Sequence, residues 1–209
     1  HWMSTMGPRV LINAKWYDSY TVRDLFVPED FSSTREYPEE RQISGPLYAF
    51  TMQGLYAVGV AGVALGLAQA MLEDFKALAA EKTPRGRPRL AEDSLTQADF
   101  ARAEARVSSA EAYALSVLAD VYERADDWAV INFEDRARVR LICSNAIQAS
   151  IEVADWTHRA AGVSAIFPGS PFERRFRDIH TLSQQIQARA AHFQAVGQVL
   201  LGEAPPVFY

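Results

Sequence analysis

Two places in this chain gather side chains that could do chemistry. Residues 82–89 hold four cations in eight positions, Lys82, Arg85, Arg87 and Arg89, punctuated by Pro84, Gly86 and Pro88. Arginine forks match phosphate oxygens geometrically, so such a connection between helices can clamp a pyrophosphate. A solvated basic loop is the plainer reading, and composition favours it. The second place is Glu173-Arg174-Arg175-Phe176-Arg177-Asp178-Ile179-His180, dense in charge on a segment that also carries core-type residues. There Arg177 and Asp178 are expected to form surface or interhelical ion pairs, which contribute little.

Other chemistry is missing from the pattern. His158, His180 and His192 lack the i, i+3 or i+4 spacing, and the Glu-x-x-His pairing, that helix-borne metal sites use, so no metal is expected. No glycine-rich phosphate loop follows a strand, and neither paired cysteines nor a Gly-x-Ser-x-Gly elbow occurs. Cys143 lies on an apolar helix face and reads as a small buried hydrophobe without a role.

The whole chain sets the bounds. It has 209 residues, 49% hydrophobic and 22% charged, with a net charge of −5. That composition fits a soluble globular domain with a real core and excludes a disordered tail or a collagen-like fibre. One cysteine excludes an internal disulfide and agrees with a reducing, cytoplasmic setting. Acids and bases are interspersed, leaving no basic face for nucleic acid. His1 and Trp2 before Met3 read as a cloning scar, and no secretory signal is expected.

The elements that must position the two charged places are mostly helices. Residues 1–44 read as short β-favouring pieces, Val10-Leu11-Ile12, Tyr20-Thr21-Val22 and Leu25-Phe26-Val27, punctuated by Pro28 and Pro38. Too short to form a sheet alone, they look like the edge of another domain. Residues 45–209 read as a four-helix up-and-down bundle. Its first helix, roughly residues 46–81, is stopped by Pro84 and Gly86. The second starts at Ser94 with Gln97 completing a capping box, and carries Ala101, Ala105, Ala112, Leu115, Leu118 and Tyr122 at helical spacing. A third runs from Asn132 or Asp135 to Ala161, burying Val139, Ile142, Ala146, Val153 and Thr157, with Gly162 turning left-handed at its end. The fourth is capped by Ser170 with Pro171 in its first turn and Glu173 closing a box; a break near His180 and a restart at Thr181 are expected, and Gly202, Pro205 and Pro206 end it.

Residues 42–72 contain no charged side chain and approach the length of a bilayer span. Gln53, Gln69 and the mixed charge of Glu39, Glu40, Arg41, Glu73, Asp74 and Lys76 at the flanks favour a central buried helix over a membrane anchor. Gly54, Gly59, Gly62, Ala64 and Gly66 would let neighbouring backbones approach closely.

The order of these pieces resembles the acyl-CoA dehydrogenase-like flavoproteins. Ser19-Tyr20-Thr21-Val22-Arg23-Asp24-Leu25-Phe26-Val27-Pro28-Glu29 is similar to the last strands of that family's middle β domain. Gly45-Pro46-Leu47-Tyr48, then Ala61-Gly62-Val63-Ala64-Leu65-Gly66, then Gln97 with Ala103-Glu104-Ala105, then Arg177-Asp178-Ile179-His180 follow in the order of its C-terminal helical domain. The resemblance covers nearly the whole chain. It implies that residues 1–44 are a remnant of the middle domain and that 45–209 form the C-terminal bundle, with FAD or FMN lying between domains and subunits. It further implies flavin contacts at Arg85 and Arg87 for the phosphates, at His158 and Gly162 where the family has Gln-x-x-x-Gly, and at Gln185 on the adenosine side.

The catalytic glutamate of the dehydrogenases has no counterpart. No acid lies between Asp178 and Glu203, and none lies in residues 42–72. The resemblance therefore implies the sister branch, two-component monooxygenases that use reduced flavin and O₂, with His180 as the candidate catalytic group, stabilising the flavin hydroperoxide or deprotonating a phenol. A helix-end histidine bonded to a backbone carbonyl is the alternative role for His180. That branch often carries a further histidine where this chain has Gln184 and Gln185. Implied partners are a second copy or more of the chain, in a dimer or tetramer built on the uncharged first helix, a flavin reductase and a small-molecule substrate. Two other readings stand beside this one: an acyl-CoA dehydrogenase acting on CH–CH groups, and a non-catalytic oligomerising helical module.

Overall fold

The computed structural model describes residues 9–10, 17–18, 21–31, 41–126 and 128–203. Among them, β1 (Arg9–Val10) pairs antiparallel with β2 (Tyr17–Asp18), Arg9 opposite Asp18 and Val10 opposite Tyr17. Residues 21–31 are irregular apart from an isolated bridge at Phe26 and a 3-10 turn at Glu29–Phe31. The expected strand Leu25-Phe26-Val27 is thus not an extended element: Leu25 and Phe26 are exposed, with no described neighbour to bury them. Leu11, Ile12, Tyr20 and Pro38 lie outside the described residues, as do Pro205 and Pro206.

Everything else is helical: α1 (Met52–Glu81), α2 (Ser94–Arg124), α3 (Phe133–Ala161), α4 (Pro171–Ser183) and α5 (Ala191–Leu200). Pro46–Ala49 is a separate 3-10 turn, because Thr51 restarts the chain as the cap of α1, its hydroxyl accepting from Gly54 N at 3.0 Å. The cap of α2 is Asp93 rather than Ser94. Its carboxylate accepts from Thr96 N at 2.9 Å, while Gln97 turns away to donate to the Ala91 carbonyl at 2.8 Å. Asn132 caps α3 by accepting from Asp135 N at 2.8 Å.

The helix at the centre is α3, not the uncharged α1. α3 packs against α1, α2, α4 and α5 and buries residues on nearly every side, the expected Val139, Ile142, Ala146, Val153 and Thr157 among them. Cys143 is buried as expected, and burial pushes its thiol up to about 12. By length and composition α1 is long and apolar enough to cross a membrane, and 44% of its most apolar window is buried against the other described elements. One side of α1 packs on α3, while Met52, Tyr56 and Val63 stay exposed. Gly59, Gly62 and Gly66 open onto empty space, so the close approach expected there is not made within this chain.

On α2 the buried stripe is Ala103, Val107, Ala110, Ala114, Val117 and Val121. The expected stripe lies beside it: Leu115 is 61% exposed, and Ala101, Ala105, Ala112 and Tyr122 are exposed too. α2 has two apolar stripes, and the one built of alanine and valine fits the close approach to α3. Leu115 and Leu118 instead line a groove of about 240 Å³ with Leu65 and Gly66 of α1, floored by Ile142 and Cys143 of α3. At its edge Gln69 donates to Glu111 at 2.7 Å.

Ser170 does not cap α4. Its hydroxyl has no hydrogen-bond partner among the described residues, and Glu173 turns to Arg177, at 2.5 Å, instead of closing a box. α4 continues through His180 because the Thr181 hydroxyl bonds back to the Arg177 carbonyl at 2.8 Å, and the break falls after Ser183. A 3-10 turn at Ile186–Ala188 then leads into α5, which Gly202 ends at φ +81°.

A charge network joins the end of α2 to the start of α3. Arg124 grips Asp135 through two bonds of 2.9 and 3.1 Å; Arg138 reaches Asp135 at 3.0 Å and Asp120 at 2.7 Å. Asp135, its side chain only 8% exposed, is held below the usual carboxylate range chiefly by Arg124, and Asp120 is pulled to about 2 chiefly by the same arginine. Both folded-state values are depressed, so this stabilisation is fully present above the unfolded value near 3.8 and is lost as pH falls toward about 2. Asp135→Asn is expected to flatten the acid limb of a stability-against-pH curve measured by urea unfolding. An unchanged acid limb would show that the network carries none of the acid sensitivity.

Candidate functional site

The first charged place folds as a turn pinned to the end of α3. Lys82 Nζ donates to the Ala161 carbonyl at 2.6 Å and to the Ser164 hydroxyl at 2.9 Å, satisfying groups that the last turn of α3 leaves open. Gly162 follows at φ +57°, a conformation that L side chains rarely adopt, and a Cβ there would lie 3.6 Å from Lys82 Nζ. Arg89 is committed too, to the Ala80 carbonyl at 3.1 Å and Glu92 at 2.7 Å. That leaves Arg85 and Arg87, both exposed on the turn around Gly86, with no side-chain hydrogen bond among the described residues. Of the four cations, two hold the loop and two are exposed, and Val163, Ile166 and Phe167 after Gly162 are exposed as well.

One turn before Gly162, His158 is half-buried and stacks on Phe176 of α4, ring centres 4.1 Å apart and planes 28° apart. His180 meets Phe176 edge-on at 4.4 Å, and its Nε2 lies 2.8 Å from Asp155 Oδ1. His180 is therefore bonded to a carboxylate, and the backbone-carbonyl role for it is not the one adopted. Helical spacing explains the cluster: Asp155 and His158 stand at i, i+3 on α3, Phe176 and His180 at i, i+4 on α4. Glu173 is held below its usual range chiefly by Arg177 and in smaller part by His158.

The second charged place otherwise resolves into ion pairs. Arg177 binds Glu173, and Arg174 lies 3.7 Å from Asp178, both within α4. The interhelical pair is a different one, Arg175 with Asp74 of α1.

Gln185 stands apart from His158, Gly162 and the basic turn. Its side-chain oxygen accepts from Gln187 N at 2.6 Å, capping the turn after α4. Gln187 is buried, accepts from Arg140 and donates to Gln53 of α1 at 3.2 Å. Arg140 and Asp155 are about 22 Å apart along the axis of α3 at the usual helical rise, so Gln185 serves a different stretch of surface. Asp155 and the Arg140–Gln187 pair were not singled out by sequence, and Lys82 and Phe176 were named only as members of the two charged stretches. The two helical spacings around Asp155 and Phe176 were the signal that could have found those two.

Comparison with known proteins places this geometry in a family. The family model described as acyl-CoA dehydrogenase, C-terminal domain, matches residues 58–190. An indole-3-acetate monooxygenase of Acinetobacter baumannii is 26% identical over 189 residues, 90% of this chain and 48% of that protein. The Pseudomonas putida protein of the same name is 27% identical over 188 residues, 88% and 47% of the two chains. Among solved structures, XiaF from Streptomyces sp., in complex with FADH2 and glycerol, shares 22% identity at a TM-score of 0.75, with 89% of this chain and 49% of XiaF covered. The 3-HSA hydroxylase from Rhodococcus sp. RHA1 shares 18% identity at a TM-score of 0.77, covering 90% and 49%. At these identities the structural likeness shows the fold, and this chain spans about half the length of the curated relatives it matches. Matched by the family model over well more than half its length, and mainly helical in that stretch, the chain belongs to the acyl-CoA dehydrogenase C-terminal domain family.

Proposed function

We propose that this chain is the C-terminal part of a flavin-dependent oxidoreductase of the two-component monooxygenase branch, which uses reduced flavin and O₂ on a small aromatic molecule. The observation that carries the reading is the Asp155–His180 pair beside His158 and Phe176, in a chain that has no acid between Asp178 and Glu203 or in residues 42–72 to act as the dehydrogenase glutamate. Relatives named indole-3-acetate monooxygenase support it, as does the fold shared with XiaF, a structure that holds FADH2. The donor set suits a flavin: two exposed guanidinium groups for phosphate, with exposed Val163, Ile166 and Phe167 in the stretch after Gly162. When bound, reduced flavin supplies the activation of O₂. The residues here do the rest: Arg85 and Arg87 hold the phosphate of FAD or FMN, Gly162 admits the cofactor, His158 lies alongside it, Gln185 contacts the far end, and His180 handles a substrate proton.

In this reading α1, α2 and α3, with α4 and α5 together as the fourth leg, make the four-helix up-and-down bundle, and residues 1–44 are the edge of a middle β domain. The open face of α1 and its groove with α2 serve a dimer or tetramer of the chain in the cytoplasm, and a separate reductase delivers the flavin; neither nucleic acid nor membrane is a partner. That open groove is also the one feature that favours the rival, a non-catalytic oligomerising module.

Flavin titration decides between them. FMN fluorescence should be quenched on binding. Because a charge-assisted hydrogen bond contributes about 1.5–3 kcal/mol, Arg85→Ala should weaken FMN binding roughly 10- to 100-fold while leaving riboflavin, which lacks the phosphate, unaffected. Intact oligomers that bind no flavin would establish the scaffold instead.

A further inference from the structure

How His180 is held carries an inference that rests on the proposed function. Asp155 Oδ1 lies 2.8 Å from His180 Nε2, and a carboxylate oxygen only accepts, so Nε2 carries the hydrogen. In the neutral imidazole this leaves Nδ1 as the acceptor, and no described residue hydrogen-bonds it. Phe176, packed against the core where α1, α3 and α4 meet, holds the His180 ring by an edge-on contact and stacks with His158. The remaining charges nearby are committed elsewhere: Glu173 to Arg177, Asp178 to Arg174 and Arg175 to Asp74. Asp155 and His180 are each 38% exposed, so a ligand can reach the imidazole without disturbing the pair.

We propose that Asp155 and Phe176 are positioning residues: Asp155 sets the tautomer of His180 and Phe176 its ring plane, so that Nδ1 is presented as the proton acceptor for an aromatic substrate bearing an N–H or O–H. Proton transfer then runs from that donor to Nδ1, giving an imidazolium whose other nitrogen is already bonded to the Asp155 carboxylate. A ring held without the carboxylate would divide between two tautomers, only one of which is a base at that nitrogen.

The test needs neither flavin nor turnover. Two-bond ¹H–¹⁵N spectra of the full chain, recorded near pH 8 and assigned with His180→Gln, should show His180 protonated at Nε2 and unprotonated at Nδ1. Asp155→Asn, whose amide can donate as well as accept, should redistribute the His180 tautomers. His192 is the internal control, because its Nε2 faces the Ile186 carbonyl at 2.8 Å. Phe176→Leu should remove ring-current shifts from both His158 and His180, and Phe176→Tyr should restore them. In flavin-loaded protein, Asp155→Asn should lower turnover about 100-fold or more with flavin affinity unchanged. A His180 protonated at Nδ1, or a tautomer untouched by Asp155→Asn, overturns the positioning role. Absence of flavin binding overturns only the functional reading, and the two failures are distinguished because the spectra are taken without flavin.

Discussion

Phe75→Ala is expected to lower the stability of the chain by about 3–5 kcal/mol, the range for truncating a fully buried aromatic. Phe75 is 1% exposed on α1, meets Trp156 of α3 edge-on at 5.0 Å and stacks with Phe100 of α2 at 6.0 Å. Three helices converge on one ring there, and α1 and α2 otherwise diverge around their open groove. Removing the ring deletes packing that no neighbouring side chain can replace, because the partners sit on separate helices that would have to move together. A thermal melt followed by circular dichroism should fall by roughly 6–20 °C for a chain of this size. A drop within about 1 kcal/mol would mean that the site collapses around the loss and that Trp156 and Phe100 alone hold the junction.

The second large effect is expected at Arg140, 2% exposed in the N-terminal third of α3. Burial pushes its guanidinium below the ordinary range, yet it donates to Gln187, which in turn donates to Gln53 at 3.2 Å. The turn after α4 therefore hangs on a buried polar chain that crosses three elements. Arg140→Ala leaves both a cavity and an unpaired Gln187 oxygen, an expected loss of about 3–5 kcal/mol. Arg140→Met keeps most of the volume and removes the desolvated charge, so the smaller loss expected from orphaning the Gln187 oxygen is about 1–3 kcal/mol. Urea midpoints should separate the two variants, and hydrogen exchange of residues 184–190 should quicken in both. Equal losses would show that volume is not what Arg140 supplies.

Much of this protein was legible in its sequence because helical signals are local. An uncharged apolar run and its stop signals located α1, apolar spacing located α2 and α3, Gly162 ended α3 with a positive φ, and the ordered set of short stretches pointed to the family that the comparisons then showed. Errors arose where two local options compete. Asp93 outranked Ser94 as a cap because its carboxylate bonds both the amide and the hydroxyl of Thr96. Glu173 chose Arg177 over a capping box, and α4 ran on past His180.

What only the tertiary structure decided is which faces meet. α2 carries two apolar stripes of equal period, and periodicity cannot say which is buried; close packing on α3 selects the alanine and valine one. An absence of charge made α1 look central, but α3, with more polar residues, is the helix surrounded on its sides, since Ser150 and Thr157 bond back to the Ala146 and Val153 carbonyls and Arg140 finds Gln187. Asp155 and His180 are 25 residues apart, and no local rule joins them. Their pairing depends on the crossing of α3 and α4, a long-range outcome of packing that exists only once the chain has folded.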